Sequence, residues 1–168
     1  MNYVSQTAPP GVPPETIDYA GQTYHTVLIG IQYWLKENLN LGTKIIGSKE
    51  QSDNGIIEKY CYNNDPTNCT LYGGLYQWAE AVQYYNGAIN TTSPNPAYYG
   101  HVQGICTTGW HLPDTSEYSI LTNTVDNDDN SLKAMRQDSG TGSGTDLSGF
   151  SALLAGTRYS DGSFNLSG

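Results

Sequence analysis

The sequence predicts an α+β domain, and three local signals carry that reading. Asp114 followed three residues later by Glu117 is a capping pair: the Asp carboxylate accepts the first free helix amides and the Glu reaches back to the cap amide, so a helix begins at Asp114. Leu75, Trp78, Ala79 and Val82 recur at spacings of three and four, an apolar stripe that predicts a helix over 73–84. Residues 17–29 alternate, with β-branched and aromatic side chains around Ala20-Gly21, which is the pattern of a β-hairpin. Two main helices with an irregular antiparallel sheet and long loops make up the expected architecture.

Taken in order, the chain begins with a segment that cannot enter a helix or a sheet interior. Residues 8–15 read Ala-Pro-Pro-Gly-Val-Pro-Pro-Glu, so 1–16 are expected to form a Pro-rich extended arm or linker, a tether for the domain. After the hairpin, Trp34, Leu35, Leu39 and Leu41 form a dense apolar cluster expected in the core, Asn54-Gly55 marks a turn, and 56–62 reads as a strand. The polar stretch 86–100, broken by Pro and Gly, is a long surface loop. Pro113 ends the extended segment before the capped helix, Trp110 fills the core beneath it, and the helix carries Tyr118 and Leu121 inward. A third short helix is expected over 131–135. Residues 138–149 are almost entirely Gly, Ser, Thr and Asp and read as a flexible loop, and 150–155 return to the sheet. On the strength of the stripe, Trp78 is placed in the core together with Trp110.

At 168 residues with 37% hydrophobic residues, the chain fits one folding unit with a real core. Seven Lys and Arg against sixteen acids, a net charge of −9, leave no basic stripe for phosphates, so nucleic acid and anionic membranes are excluded as expected partners. No apolar run is long enough to span a bilayer. The opening Met1-Asn-Tyr-Val-Ser-Gln has neither the charged start nor the apolar stretch of a signal peptide.

Four blocks in order carry a family resemblance: Thr26-Val-Leu-Ile-Gly-Ile-Gln-Tyr-Trp-Leu-Lys-Glu-Asn-Leu39, Tyr72-Gly-Gly-Leu-Tyr-Gln-Trp-Ala-Glu-Ala81, Gly104-Ile-Cys-Thr-Thr-Gly-Trp-His-Leu-Pro-Asp-Thr-Ser-Glu117, and Gly149-Phe-Ser-Ala-Leu-Leu-Ala-Gly-Thr-Arg-Tyr159 with Asp161-Gly-Ser-Phe164. Residues 17–168 resemble the Fibrobacter succinogenes major paralogous domain, a module of bacterial surface proteins. The Trp-His-Leu-Pro-x-x-x-Glu pattern is also similar to the helix entry of C-type-lectin-like folds, the formylglycine-generating enzyme group among them. The resemblance implies a C-type-lectin-like fold and an exported, extracellular or cell-surface location. Members of the family continue past the Gly-Ser-Phe segment to a closing strand that ends in a cysteine, so the domain is expected to be C-terminally incomplete here. Of the three cysteines, Cys61 and Cys69 bracket a short loop rich in turn formers and are expected to form a disulfide in an exported setting. Cys106, whose family partner is that missing cysteine, is then a free buried thiol or pairs with another chain.

The candidate sites are few. Asp126, Asp128 and Asn130 occupy the alternate positions of a calcium loop, but Ser131 stands where the turn glycine belongs and Gln137 where the bidentate glutamate belongs. No Cys-x-x-Cys occurs, and His25, His101 and His111 are scattered, so no metal ligands and no cofactor are assigned. Fourteen tyrosines against two phenylalanines favour stacking on sugar rings or protein surfaces, and Tyr84, Tyr85, Tyr98 and Tyr99 flank the long polar loop as candidate ligand-binding residues. The formylglycine-generating relatives depend on late cysteines, and none follows Phe150, so no enzyme activity is expected. The expected function is that of a non-enzymatic surface module binding a glycan or a surface protein. The alternative is a self-assembling filament subunit, a homo-oligomer built by strand donation from the N-terminal arm, and an enzyme of the formylglycine-generating type stands third.

Overall fold

A computed structural model describes residues 5–7, 15–91, 101–138 and 140–165. The predicted hairpin is there: β2 (Thr16–Tyr19) turns through Ala20 and Gly21, at φ 51° and 78°, into β3 (Gln22–Ile29). Two consecutive left-handed residues match the right-handed twist of the flanking strands, and Gly21 meets that demand without steric cost. β3 then pairs antiparallel with β4 (Gln32–Leu35), and β1 (Ser5–Thr7) pairs with the other side of β4, giving the order β1-β4-β3-β2. Residues 5–7, within the expected extended arm, thus supply a sheet strand in their own chain.

Adjacent residues of a strand face opposite sides of a sheet. Trp34 and Leu35 are both buried, so β4 is covered on both sides. Leu35 packs with Tyr24, Leu39, Leu41, Ile105, Cys106 and Trp110. Trp34 packs with Ile29, Leu121 and Phe150, with the Phe150 ring edge-on at 5.7 Å and Tyr118 tilted at 5.9 Å. The segment around the predicted capping pair serves both faces. Ile105, Cys106 and Trp110 join the first cluster, whereas Tyr118 and Leu121, on α3 (Thr115–Thr124), join the second.

The capping box is formed as the sequence predicts: Asp114 accepts from the Ser116 and Glu117 amides, and the Glu117 carboxylate accepts from the Asp114 amide. The acidic run after this helix is an exposed connector. Asp128 caps α4 (Asp129–Leu132) by accepting from the Asn130 amide, which starts the third helix two residues earlier than expected and ends it at Lys133. Lys133 turns extended and bridges to Ala152, so 150–155 contribute the buried Phe150 and one bridge in place of a full strand.

Two further expectations are corrected. The helix predicted over 73–84 is only α2 (Trp78–Ala81), because Gly73 adopts φ 79° and lies so close to Asn38 that a Cβ there would meet it at 2.3 Å. Residues 73–77 are therefore not helical, and Leu75 bridges to Tyr60 as a strand residue. With helical spacing lost before residue 78, the stripe does not hold, and Trp78 is 39% exposed where the core was expected. The second correction concerns 56–72. The strand expected over 56–62 shortens to β6 (Glu58–Lys59), which pairs parallel with β5 (Thr43–Lys44), so the sheets are not wholly antiparallel. Beyond Cys61 the chain enters a helix in place of the expected loop, α1 (Pro66–Tyr72), with Asp65 at its N-cap and Pro66 in its first turn.

Cys61 and Cys69 are disulfide-bonded and Cys106 is a buried free thiol, as expected. β7 (Thr157–Arg158) and β8 (Phe164–Asn165) form a small antiparallel pair beside 47–48, and the whole is a mixed α+β domain.

The two tryptophans separate cleanly in a stability measurement. Trp110→Ala removes a buried indole and is expected to cost about 3–5 kcal/mol in denaturant unfolding, whereas Trp78→Ala, which removes a partly exposed indole, should cost clearly less. The cysteines give a second test. Closing the eight-residue separation between Cys61 and Cys69 is expected to contribute about 2–3 kcal/mol, lost on reduction. Cys106, whose thiol pKa burial pushes up to about 12, should resist alkylation until the protein unfolds. Peptide mapping after alkylation with and without reductant reads both.

Candidate functional site

The Gly73 bend that leaves Trp78 out of the core also puts it at the edge of a cleft. The cleft measures about 550 Å³ and is lined among others by Tyr60, Leu75, Gln77, Trp78, Tyr118 and Arg158. Its walls join parts of the chain about 110 residues apart, through a polar network under the aromatic surface. Gln77, at the N-cap position of α2, accepts from the Gln51 amide (2.9 Å) and the Tyr60 hydroxyl (3.0 Å). Its own amide donates to Gln51 Oε1 (2.7 Å) and its Nε2 donates to Glu50.

Arg158 closes the network from the far end of the chain. Its Nε and Nη2 both donate to the Gly47 carbonyl (2.9 and 2.7 Å), Nη2 also donates to Glu50 Oε1 (2.6 Å), and the guanidinium sits 4.6 Å over the Tyr60 ring. A planar cation on an aromatic face, with its fork fixed by a carbonyl and a carboxylate, is held in one orientation. The hydrogen bond from Arg158 holds the Glu50 carboxyl below its ordinary range. Desolvation pushes the Tyr60 hydroxyl up to about 12, so it stays protonated, and its single proton is shared between the Lys49 carbonyl (2.8 Å) and Gln77 Oε1 (3.0 Å). Arg158 Nη1 has no hydrogen-bond partner among the described residues.

Of the tyrosines singled out in the sequence, Tyr84 and Tyr85 sit on the turn after α2 and do not line this cleft. Tyr84 adopts φ 52°, uncommon for a bulky residue, and donates its hydroxyl to the buried Glu80 (3.0 Å). Burial, and then that bond, raise its pKa. Tyr85 is exposed. Tyr98 and Tyr99 lie outside the described residues. The aromatic groups that line the cleft are Tyr60, Tyr76, Trp78 and Tyr118, and sequence reasoning misses them as a set because nothing local announces a surface assembled from 60, 78, 118 and 158.

The histidines are less scattered than their sequence positions suggest. Val102 bridges antiparallel to Leu112, with the Leu112 amide donating to the Val102 carbonyl at 2.8 Å. In that register His101 and His111 are diagonal neighbours on one face. Their rings lie 3.9 Å apart between centroids, and His111 Nε2 is 2.8 Å from Glu117 Oε1. One ligand atom from each of His101, His111 and Glu117 lies within 4.8 Å of the others, and this is the only such gathering of His, Cys, Asp or Glu among the described residues. His25 is elsewhere, paired with Glu37 at 2.7 Å. The signal that could have found the trio is the Trp-His-Leu-Pro block itself, read as a short bridge rather than only as a helix entry.

Among the described residues no helix is long and apolar enough to cross a membrane. The profile of the Fibrobacter succinogenes major domain matches residues 27–168. A search of curated proteins and a search of solved structures each return no match.

Proposed function

Given that the chain belongs to the Fibrobacter succinogenes major domain family, we propose that it is a non-enzymatic module of the bacterial surface, C-type-lectin-like in fold, that holds a glycan or protein ligand in the cleft edged by Trp78. The observation that carries this reading is the cleft itself, a concave, largely apolar surface of ligand size with an exposed indole beside Gln77 and Arg158. An indole stacks on the apolar face of a sugar ring, while amide and guanidinium groups bond its hydroxyls. The fixed network beneath means that little ordering entropy is lost when a ligand enters. The Cys61–Cys69 disulfide supports export, since such bonds persist in oxidising compartments.

A second reading, assembly through strand donation, draws on one observation. β1 comes from the N-terminal arm and occupies the open side of β4, a place that the arm of a neighbouring copy fits equally. The first reading nevertheless leads, because β1 already covers that side within one chain.

Each reading has its own measurement. On glycan arrays and surface-protein panels, Trp78→Ala is expected to abolish binding of any ligand the intact protein captures, while the melting temperature stays within a few degrees. Binding unchanged in that variant moves the site off the cleft. In light scattering, the intact chain is expected to remain monomeric across a wide concentration range. Concentration-dependent oligomers that dissolve when Met1 to Glu15 are deleted would put strand donation ahead.

A further inference from the structure

We propose that His101, His111 and Glu117, none of which lines the ligand cleft, form a binding site for one borderline-soft transition-metal ion of the Zn²⁺ type. Two imidazoles and one carboxylate are the donor set that such ions take, with a fourth position left for water or an incoming ligand. Ligand atoms around a tetrahedral Zn²⁺ at about 2.0–2.1 Å stand roughly 3.3 Å from one another. Here the His111 Nε2 to Glu117 Oε1 separation is 2.8 Å and the His101 Nδ1 to Glu117 Oε2 separation is 3.9 Å, with the three ligand atoms all within 4.8 Å. The shifts needed to enclose an ion are therefore side-chain adjustments, and the backbone stays in place. The ion takes the position of the proton between His111 and Glu117, and the His101 ring swings off its stack to become the third ligand.

Two features distinguish this cluster from an ordinary buried pair. A structural His–Glu pair is complete with one imidazole, yet a second is held against the first at 3.9 Å. The burial is also graded: the His111 and Glu117 side chains are 10% and 4% exposed while His101 is 50% exposed. Two ligands are thus fixed in the wall of the protein and the third closes over from solvent, which gives an ion a way in and keeps one position open. Glu117 is oriented from behind as well, because its Oε2 accepts the Asp114 amide at 3.0 Å in the capping box. Such a fixed outer partner is what holds a metal-ligating carboxylate in one orientation. The trio supplies only one carboxylate, so hard cations such as Ca²⁺ are poor occupants.

Tag-free, chelator-stripped protein titrated with ZnCl2 by calorimetry is expected to bind one ion per chain with micromolar or tighter affinity. Co²⁺ should give the visible absorption of a tetrahedral N/O site, bleached by added Zn²⁺ and unaffected by Ca²⁺. His101→Ala, at an exposed position where folding is not at risk, should weaken binding by about tenfold or more and remove the Co²⁺ spectrum, while His25→Ala leaves both unchanged. Equal Zn²⁺ affinity in the wild type and a folded His101→Ala variant overturns the proposal, and so does the absence of saturable binding to the wild type.

Discussion

The placement of two consecutive residues, Trp34 and Leu35, on opposite faces of one short strand is the constraint on which the domain depends. A four-residue strand with both faces buried requires a separate layer on each side. The chain meets that requirement with little regular structure. One side is closed by Tyr24, the 39–41 stretch and the Ile105 to Trp110 segment, and the other by α3 and Phe150. Because residues 105–121 contribute to both layers, the capped helix start at Asp114 sits between them. Its capping box fixes where the chain stops serving one face and starts serving the other.

The same economy explains the cleft. β5, β6, β7 and β8 have two residues each, too few for ladder hydrogen bonds to set their positions. What locates them is the side-chain network from Gln51 and Gln77 through Tyr60 to Arg158 and Glu50, assisted by the Cys61–Cys69 bond. A wall built from side chains instead of ladders can leave an indole and a guanidinium edge at its rim. Regular sheet would have buried the first and left no carbonyl free to hold the second.

Signals confined to a few adjacent residues are legible in the sequence. The Ala20-Gly21 turn, the capping box, the apolar cluster from Trp34 to Leu41 and the disulfide all depend on neighbours in the chain, and all stand. The failures share one cause, contacts made from a distance. Gly73 ends helical spacing because Asn38 lies against it. The stripe that includes Trp78 therefore breaks up, its first member Leu75 belonging to the Tyr60 cluster while Ala79 and Val82 belong to another. The α1 helix is hidden because the turn formers between the cysteines point to a loop, although Asp65-Pro66 is itself a helix start. The histidine trio escapes because a single antiparallel bridge, invisible to periodicity, brings 101 beside 111.

Composition, too, carries more of the fold than it first suggests. The abundance of Gly and Asn is in large part geometric. Among the described residues, seven of the twelve non-glycine positions with positive φ are Asn or Asp, including Asn63, Asn64, Asp126 and Asn127. Their short polar side chains tolerate the left-handed region that other residues avoid. A domain that covers both faces of a small sheet with loops has to reverse direction often, and reversals of this kind favour Gly, Asn and Asp. Against that background Tyr84 stands apart, since it is a bulky residue held left-handed and its hydroxyl is tied to the buried Glu80, which also accepts the Glu58 amide at 3.0 Å. The strained turn after α2 is thereby anchored to β6, and through it to Gln51, which donates to the Glu58 carbonyl, and to Tyr60, which lines the cleft.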